Sequence, residues 1–309
     1  MTLRFTLRQL EYLVAVADCG SVAMAAQRVN VSSPSISAAI AQLEAAYGVQ
    51  LFIRRHAQGL SLTIGGRSFT ESAREVLAAA ARLTDRAGDI AGVVAGPLTV
   101  GCLVTFAQVI LPKLRRGFND AYPAVQVGQV EGDQAELFDG LRMARLDVAL
   151  TYDLNIPPDL AFQPLLPLAP YALFPEDHAL ANRATVSPQD LAPYPMVLLD
   201  LPHSADYFLS FFSDAGVTPH IAERTRDLGV MRAMVANGFG YSIANIWLGS
   251  DRVPDGKKLV FVPLVADLRP MQIGLLLPKG AVPRRAVAAF VAECQRHVTA
   301  RALPGLYRA

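Results

Sequence analysis

Uncharged hydrogen-bonding side chains gather at the start of one short helical pattern near the N-terminus. They are Ser32, Ser33, Ser35, Ser37 and Gln42, with Pro34 among them in the predicted first turn. Such side chains at a helix N-terminus are suited to the phosphates and base edges of DNA. Further along, Arg54 and Arg55 could hold the phosphate backbone, or form a solvated loop tip without that role. Together these residues predict a surface for double-stranded DNA, with ordinary solvated helices as the alternative.

Three helical patterns and a hairpin are needed to hold those side chains. Apolar residues recur at intervals of three and four across 6–17, which predicts the first helix. Ser21 and Ser32 are placed to cap the second and third helices, and Gly48 to end the third. Two short helices joined by a tight turn form a helix-turn-helix, and the hairpin that turns at Gly59 adds a wing.

A longer helical pattern follows the hairpin, from about Ile64 to about Ala91. Its apolar residues have heptad spacing, and they are Phe69, Ala73, Val76, Ala80, Leu83, Ala87 and Ile90. A seam this narrow predicts pairing with the same helix of a second copy, and packing within its own chain is the alternative. A twofold dimer would place two reading helices in successive major grooves of a near-palindromic site.

From residue 92 onward, strand and helix patterns alternate, which predicts the α/β class with a parallel sheet flanked by helices. The predicted strands are LTVGCLV, VQVGQV, DVALTY, YALFP, PMVLLDL, HIAERT, YSIANI and MQIGLLLP, and the predicted helices cover 109–121, 135–144, a segment from about 204, 227–237 and 283–301. The chain leaves one group of strands, builds another and returns. We therefore predict two lobes with a cleft, lobe I at about 97–168 and 269–309 and lobe II at about 169–268.

Ligands of open α/β sheets bind at the carboxyl ends of strands, where helix N-termini converge. This rule, with a tyrosine after a glycine pair, selects Thr105, Asp133, Gln134, Tyr152, Pro202, His203, Ser204 and Tyr241. Three have plain alternatives, since Asp133 could be a helix N-cap, His203 an exposed loop residue and Tyr241 a core residue. As an ionised carboxylate facing the cleft, Asp133 would favour an amine, a guanidine or a polyol over an anion.

Charge, hydropathy and cysteine content narrow the function classes. The net charge is only +1, but residues 1–67 carry six arginines against three acidic residues, so positive charge concentrates where DNA binding is predicted. No apolar run approaches the ~20 residues of a membrane span, and the N-terminus lacks a secretory pattern, so we expect a cytoplasmic protein without a membrane partner. Cys19, Cys102 and Cys294 have neither metal-site nor disulfide spacing, and no cofactor or metal is predicted.

The run from Ser21 to Gly66 resembles the winged helix-turn-helix of LysR-type transcriptional regulators. The matching positions are Ala25, Ala26, Ser32, Pro34, Ser37, Leu43, Glu44, Gly48, Leu51, Phe52, Arg54, Leu62, Thr63 and Gly66. The remainder resembles that family's effector-binding domain, which is similar to periplasmic binding proteins. Its marks are Leu111-Pro112, Tyr122-Pro123, Glu131-Gly132, Leu146-Asp147, His178-Ala179-Leu180, Gly238 and Gly240.

The resemblance implies an N-terminal all-α winged helix-turn-helix at 1–63, a linker and dimerisation helix at 64–91, and a two-lobed α/β effector-binding domain at 92–309. It implies a transcriptional regulator rather than an enzyme, with DNA, a small-molecule effector and its own copies, up to a tetramer, as partners. RNA polymerase is a further candidate partner. The alternative is a two-lobed enzyme or ligand-binding protein with an N-terminal assembly domain, but His178 and His203 have no identifiable catalytic partner.

Overall fold

The computed structural model describes residues 3–55, 59–91, 94–265 and 269–299. The chain divides into two compact units, Met1–Val93 and Val94–Ala309. None of the helices in the described ranges combines the length and apolar character that crossing a bilayer requires.

The first unit begins with three helices and a two-stranded hairpin. These are α1 (Leu7–Cys19), α2 (Val22–Arg28), α3 (Ser33–Tyr47), β1 (Phe52–Arg55) and β2 (Gly59–Leu62). Each helix starts at a hydroxyl N-cap, Thr6, Ser21 or Ser32, whose side chain accepts a backbone N–H of the first turn. Gly48 ends α3 in the left-handed conformation that glycine adopts at little cost. The predicted caps at Ser21, Ser32 and Gly48 are confirmed.

A single apolar core holds these elements together. It consists of Leu10, Leu13, Ala15, Val16, Ala25, Ala26, Ile36, Ile40, Leu43, Leu51, Phe52 and Ala73. Asp18 adds a polar brace, because its carboxylate pairs with Arg28 of α2 and with Arg74 of the long helix α4 (Ile64–Ala91). The side chains of Asp18 and Arg74 are only 10% and 12% exposed, so this ion pair is shielded from solvent.

The first turns of α4 belong to the core of the first unit. Ala73 is 3% exposed, and Phe69 packs edge-to-face on Tyr47 with ring centroids 5.1 Å apart. The prediction that Ala73 serves a seam between copies is therefore corrected, because its apolar surface is used within the chain. Phe69 is half-buried and gives part of its surface to the same core. Val76 and Leu83 are 36% and 71% exposed. Of the other predicted seam residues, Ala80 is half-buried, and the side chains of Ala87 and Ile90 lie outside the described residues.

The second unit alternates strands and helices. In chain order it contains β3 (Gly96–Leu103), α5 (Val104–Ala121), β4 (Val125–Gly132), α6 (Gln134–Arg142), β5 (Val148–Tyr152), β6 (Leu160–Leu168), β7 (Tyr171–Pro175), α7 (Pro188–Leu191), β8 (Pro195–Leu199), α8 (Ser204–Asp214), β9 (His220–Thr225), α9 (Leu228–Ala236), β10 (Ser242–Ala244), β11 (Leu259–Pro263), β12 (Met271–Pro278) and α10 (Arg285–His297). β6, α7 and β11 are additions to the predicted elements.

Five strands form the first sheet, in the order β4-β3-β5-β12-β6. β3 runs parallel to β4 and β5, but β12 runs antiparallel to both of its neighbours. The prediction of a parallel sheet is therefore wrong for this edge, and it is also wrong where β10 and β11 pair antiparallel with β7. β12 returns from the second sheet rather than through a helical crossover, and only such crossovers impose a parallel direction.

The second sheet has two hydrogen-bonded pieces, β10-β7-β11 and β8-β9. Tyr241, directly before β10, joins them, because its N–H donates to the Pro195 carbonyl at 2.9 Å and its carbonyl accepts from Val197 N–H at 2.7 Å. Gly240 makes this approach possible, since it has φ of +143° and a Cβ there would lie 2.1 Å from the Pro195 oxygen. The close approach gives the predicted glycine pair a structural reason at Gly240.

Two adjacent glycines in the first turn of α4 differ in the space around them. A Cβ on Gly66 would lie 2.0 Å from the Leu51 carbonyl oxygen, whereas a Cβ on Gly65 would have only the Thr63 hydroxyl at 3.9 Å. We predict that Gly66→Ala lowers the free energy of unfolding of the first unit by about 1–3 kcal/mol through overpacking. Gly65→Ala is the matched control and should be neutral or stabilising by up to ~1 kcal/mol. Urea unfolding of the full chain, followed by far-ultraviolet circular dichroism, measures both, and equal effects would contradict the assignment.

Candidate DNA-binding surface and ligand cleft

The outward face of α3 carries the predicted DNA-reading side chains. Pro34, Ser35, Ser37 and Gln42 are exposed, and Ser33 is half-buried. The exposed Ser32 caps the helix, and its hydroxyl lies 2.8 Å from that of Ser35. The side-chain oxygen of Gln42 accepts a hydrogen bond of 2.9 Å from Gln9 of α1. The structure therefore places these residues together at one solvent-facing helix start.

The wing is fixed to α3 by a side chain that the sequence interpretation treats only as a family match. Glu44 of α3 accepts backbone N–H bonds from Leu51 at 2.7 Å and from Phe52 at 3.3 Å. β1 and β2 pair antiparallel with Arg55 opposite Gly59. The side chains of Arg54 and Arg55, and the whole of His56, lie outside the described residues. The hairpin strands that carry the two arginines are thus held against the reading helix.

We predict that Glu44→Ala lowers the free energy of unfolding by about 1.5–3 kcal/mol, because two partly buried N–H groups lose a charged acceptor. Glu11→Ala, at an exposed position of α1, is the control and should stay within about 0.5 kcal/mol of the parent. Urea unfolding measures both variants. A Glu44→Ala protein as stable as Glu11→Ala would show that the carboxylate does not hold the wing.

In the second unit, a buried phenol connects the two sheets. Tyr152, at the end of β5, is 2% exposed, and its hydroxyl donates to the side-chain oxygen of Asn245 at 3.1 Å. The hydroxyl of Thr105, in the first turn of α5, lies 3.2 Å from the same phenol oxygen. Burial raises the pKa of Tyr152 above its usual value, so the phenol stays protonated and remains a donor. This hydrogen-bonded trio links the start of α5, the end of β5 and the residue that follows β10.

The other predicted cleft residues have mixed roles. Gln134 is buried and donates to the carbonyl oxygens of Tyr152 at 3.0 Å and Leu154 at 2.7 Å, so it braces the strand end. Tyr241 is fully buried and packs near Phe174, so the core alternative replaces its prediction as a ligand contact. Ser204 is also buried, in the first turn of α8.

His203 follows the half-buried Pro202 and contacts residues of the other lobe. Its Nδ1 lies 3.1 Å from the amide nitrogen of Asn155, and its ring lies 5.7 Å from that of Phe138 in α6. His203 and Asn155 have φ values of +64° and +45°, which side chains other than glycine adopt at a cost. The exposed-loop alternative for His203 is therefore corrected in part, because the residue is half-buried and contacts α6 and the segment after β5.

Asp133 is both a helix cap and one half of an ion pair. Its Oδ1 accepts from Glu136 N–H at 3.0 Å, which confirms the N-cap alternative. Its Oδ2 accepts from Arg226 Nη2 at 2.6 Å. The prediction of an ionised carboxylate facing the cleft does not include this cation, and with the cation present the predicted preference for a cationic or polyol ligand loses its basis. The guanidinium of Arg226 already pairs with this carboxylate.

A cavity of about 220 Å³ opens beside the ion pair. It is lined by Val104, Thr105, Gln108, Arg226, Asp227, Leu228 and Gly229. These residues come from the first turns of α5 and α9 and from the segment after β9. Helix N-termini and a guanidinium are groups that bind anions. Of the predicted cleft residues, only Thr105 lines this cavity. The sequence prediction misses Arg226, although this residue directly follows a strand and so meets the rule that selects the others.

Within the described ranges, no three His, Cys, Asp or Glu side chains come together as a metal site. Cys102 and Cys294 are buried, and burial raises the pKa of both thiols. Such thiols form little of the reactive thiolate at neutral pH.

Comparisons with known proteins agree with this architecture. Residues 7–67 match the family "Bacterial regulatory helix-turn-helix protein, lysR family", and residues 91–299 match "LysR substrate binding domain". The transcriptional dual regulator OxyR of Escherichia coli (strain K12) is 30% identical over 299 residues, which cover 94% of each chain. The solved structure of HinK, a LysR family regulator from Pseudomonas aeruginosa, shares 38% identity over 95% of this chain and 99% of its own, with a TM-score of 0.64. Full-length CbnR in complex with its target DNA shares 27% identity over 94% and 99%, with a TM-score of 0.66.

Proposed function

The chain belongs to the LysR family of transcriptional regulators, and from that premise we propose which of its residues bind DNA, a second copy and a small-molecule effector. It is a DNA-binding regulator and not an enzyme. In the proposed division, residues 1–63 bind DNA, 64–91 pair the copies and 92–309 bind the effector. Since bacterial DNA lies in the cytoplasm, we also propose that compartment, with RNA polymerase as a further candidate partner.

For DNA, we propose that α3 reads bases in the major groove and that Arg54 and Arg55 bind phosphates. The exposed, uncharged face of α3 supports this assignment, as does the wing that Glu44 holds beside it. Since Ser37 is short, direct base contacts should be few, and shape readout of the DNA should contribute more. The exposed apolar side chains of Val76 and Leu83 support pairing of α4 with the same helix of a second copy. CbnR, a similar protein, was solved in complex with its target DNA, which supports a DNA-binding role for this chain.

DNA-binding measurements separate the two proposed kinds of contact. The double variant Arg54→Ala/Arg55→Ala should weaken binding to target and random DNA alike and reduce the salt slope by about 1 for each phosphate that is no longer neutralised. Ser37→Ala should cost about 0.5–1.5 kcal/mol on target DNA only, which is the net value of one neutral hydrogen bond. Fluorescence anisotropy at several salt concentrations measures these effects, with Arg116→Ala in the second unit as an unchanged control, since that side chain is 81% exposed. Equal losses on both DNAs for Ser37→Ala would contradict its role in base reading.

For the effector, we propose the cavity between the first turns of α5 and α9. The observation that carries this proposal is its position, because α5 follows a strand of the first sheet and α9 a strand of the second. A molecule bound there contacts both lobes at once. It can therefore favour one arrangement of the lobes over another, which is the differential affinity that ligand control of DNA binding requires.

The cavity assignment is tested by filling it. Val104 lines the cavity and is 38% exposed, so Val104→Trp should occupy the space without disturbing the core. Panels of carboxylates, amines, sugars and aromatic acids are screened by thermal unfolding of the full chain. A ligand at ~100 times its Kd raises the free energy of unfolding by ~2.7 kcal/mol. Stabilisation should be lost in Val104→Trp and kept in Val282→Trp, at a position that is 87% exposed and outside the cavity. A ligand that stabilises Val104→Trp fully would place the site elsewhere.

A further inference from the structure

One ion pair joins the two lobes at the edge of the cavity. Asp133 follows β4 of the first sheet, and Arg226 follows β9 of the second. Their side chains meet at 2.6 Å, and the Asp133 side chain is 9% exposed whereas the Arg226 side chain is 67% exposed. Asp133 is therefore largely buried, while Arg226 is largely exposed and is one of the residues that line the cavity.

The two oxygens of Asp133 have separate partners. Oδ1 accepts the Glu136 N–H that starts α6, and Oδ2 accepts from Arg226. Glu136 reciprocates by accepting the Asp133 N–H at 2.8 Å, so the capping box holds the residue in place without help from the arginine. Release of Arg226 would thus leave the helix cap intact.

The other charges around the cavity set the condition for a ligand. Asp227 also lines it, but its Oδ1 accepts Val230 N–H at 2.8 Å and so faces the positive end of its own helix. Arg226 carries five N–H donors, and the contact with Asp133 joins Nη2 to a single oxygen. A second carboxylate on the same guanidinium would be repelled by Asp133 while that contact lasts.

We infer that the effector is a small carboxylate whose anionic group replaces Asp133 as the partner of Arg226. In the absence of the effector, the carboxylate of Asp133 pairs with the guanidinium in its place. This inference rests on the proposed effector cavity. The exchange replaces a contact between the lobes by a contact between ligand and protein. Asp133 is then a specificity residue, because only a ligand with an anionic group can take its place on the guanidinium.

Asp133→Asn is the informative variant. Asparagine remains a good N-cap. When its oxygen caps α6 in the place of Oδ1, its NH2 group takes the place of Oδ2, and that group cannot accept a hydrogen bond from Arg226. The guanidinium should therefore lose its internal partner while α6 keeps its start. Asp159→Asn is the matched control, since Asp159 forms an exposed ion pair with Arg142 outside the cavity. It removes the same charge from the second unit.

Three small probes of similar length separate the chemical classes: succinate, succinamide and 1,4-diaminobutane. Thermal unfolding of the full chain and isothermal titration measure their binding to the parent, Asp133→Asn, Arg226→Gln and Asp159→Asn. Succinate should bind Asp133→Asn at least 10-fold more tightly than the parent or Asp159→Asn, and Arg226→Gln should lose it. Succinamide should show no such gain.

Failure takes recognisable forms. Succinate that fails to bind Asp133→Asn, or binds it no better than the parent, overturns the exchange. Diaminobutane that binds the parent and is lost in Asp133→Asn overturns it in favour of a cation site. The double variant Val104→Trp/Asp133→Asn distinguishes failure of the proposed exchange from failure of the proposed cavity. If succinate still binds the double variant, its site lies outside the cavity and both proposals are contradicted. If Val104→Trp abolishes the binding of a panel ligand but Asp133→Asn leaves that binding unchanged, only the exchange is contradicted.

Discussion

The hydrogen bonds of the buried Tyr152 phenol fix the geometry on which the second unit depends. A hydroxyl taken out of water is costly unless it is paired, and this one is paired with one residue from each side of the cleft, Thr105 and Asn245. Separation of the lobes at this point would therefore expose or orphan a polar group. The same hydrogen bonds hold one wall of the cavity, since the first turn of α5 contributes both the Thr105 hydroxyl and part of the cavity lining.

In the first unit, carboxylates hold separate elements together. Asp18 connects α1, α2 and α4, and Glu44 connects α3 to the wing. Small side chains such as Ser37 reach only a short distance, so a reading face built from them needs an accurately held backbone. Removal of either carboxylate would leave donors without partners and would loosen the element that carries the DNA-reading residues.

Local features are predictable from the sequence, and long-range pairing is not. The caps at Ser32 and Gly48, the hairpin and the extent of α4 follow from residues within a few positions of each other. The sequence pattern places the start of α5 five residues late, at Val109 instead of Val104, because β-branched residues directly after a strand resemble its continuation. It misses β6 because that strand contains two prolines, which the sheet tolerates at its edge position. The direction of β12 depends on its neighbours, which no local pattern encodes.

The cleft shows why the charge of a binding site cannot be derived from one residue. Asp133 alone predicts a cation, but its partner Arg226 lies 93 positions further along the chain, and with that partner the same acid becomes a competitor for anions. Competition also supplies coupling. If a ligand must remove Asp133 from Arg226 to bind, its affinity is reduced by the free energy of that contact, and the lobes lose the same free energy when it binds. The ion pair would therefore set the sensitivity of the regulator and the size of its response together, so neither can be tuned at this position without the other.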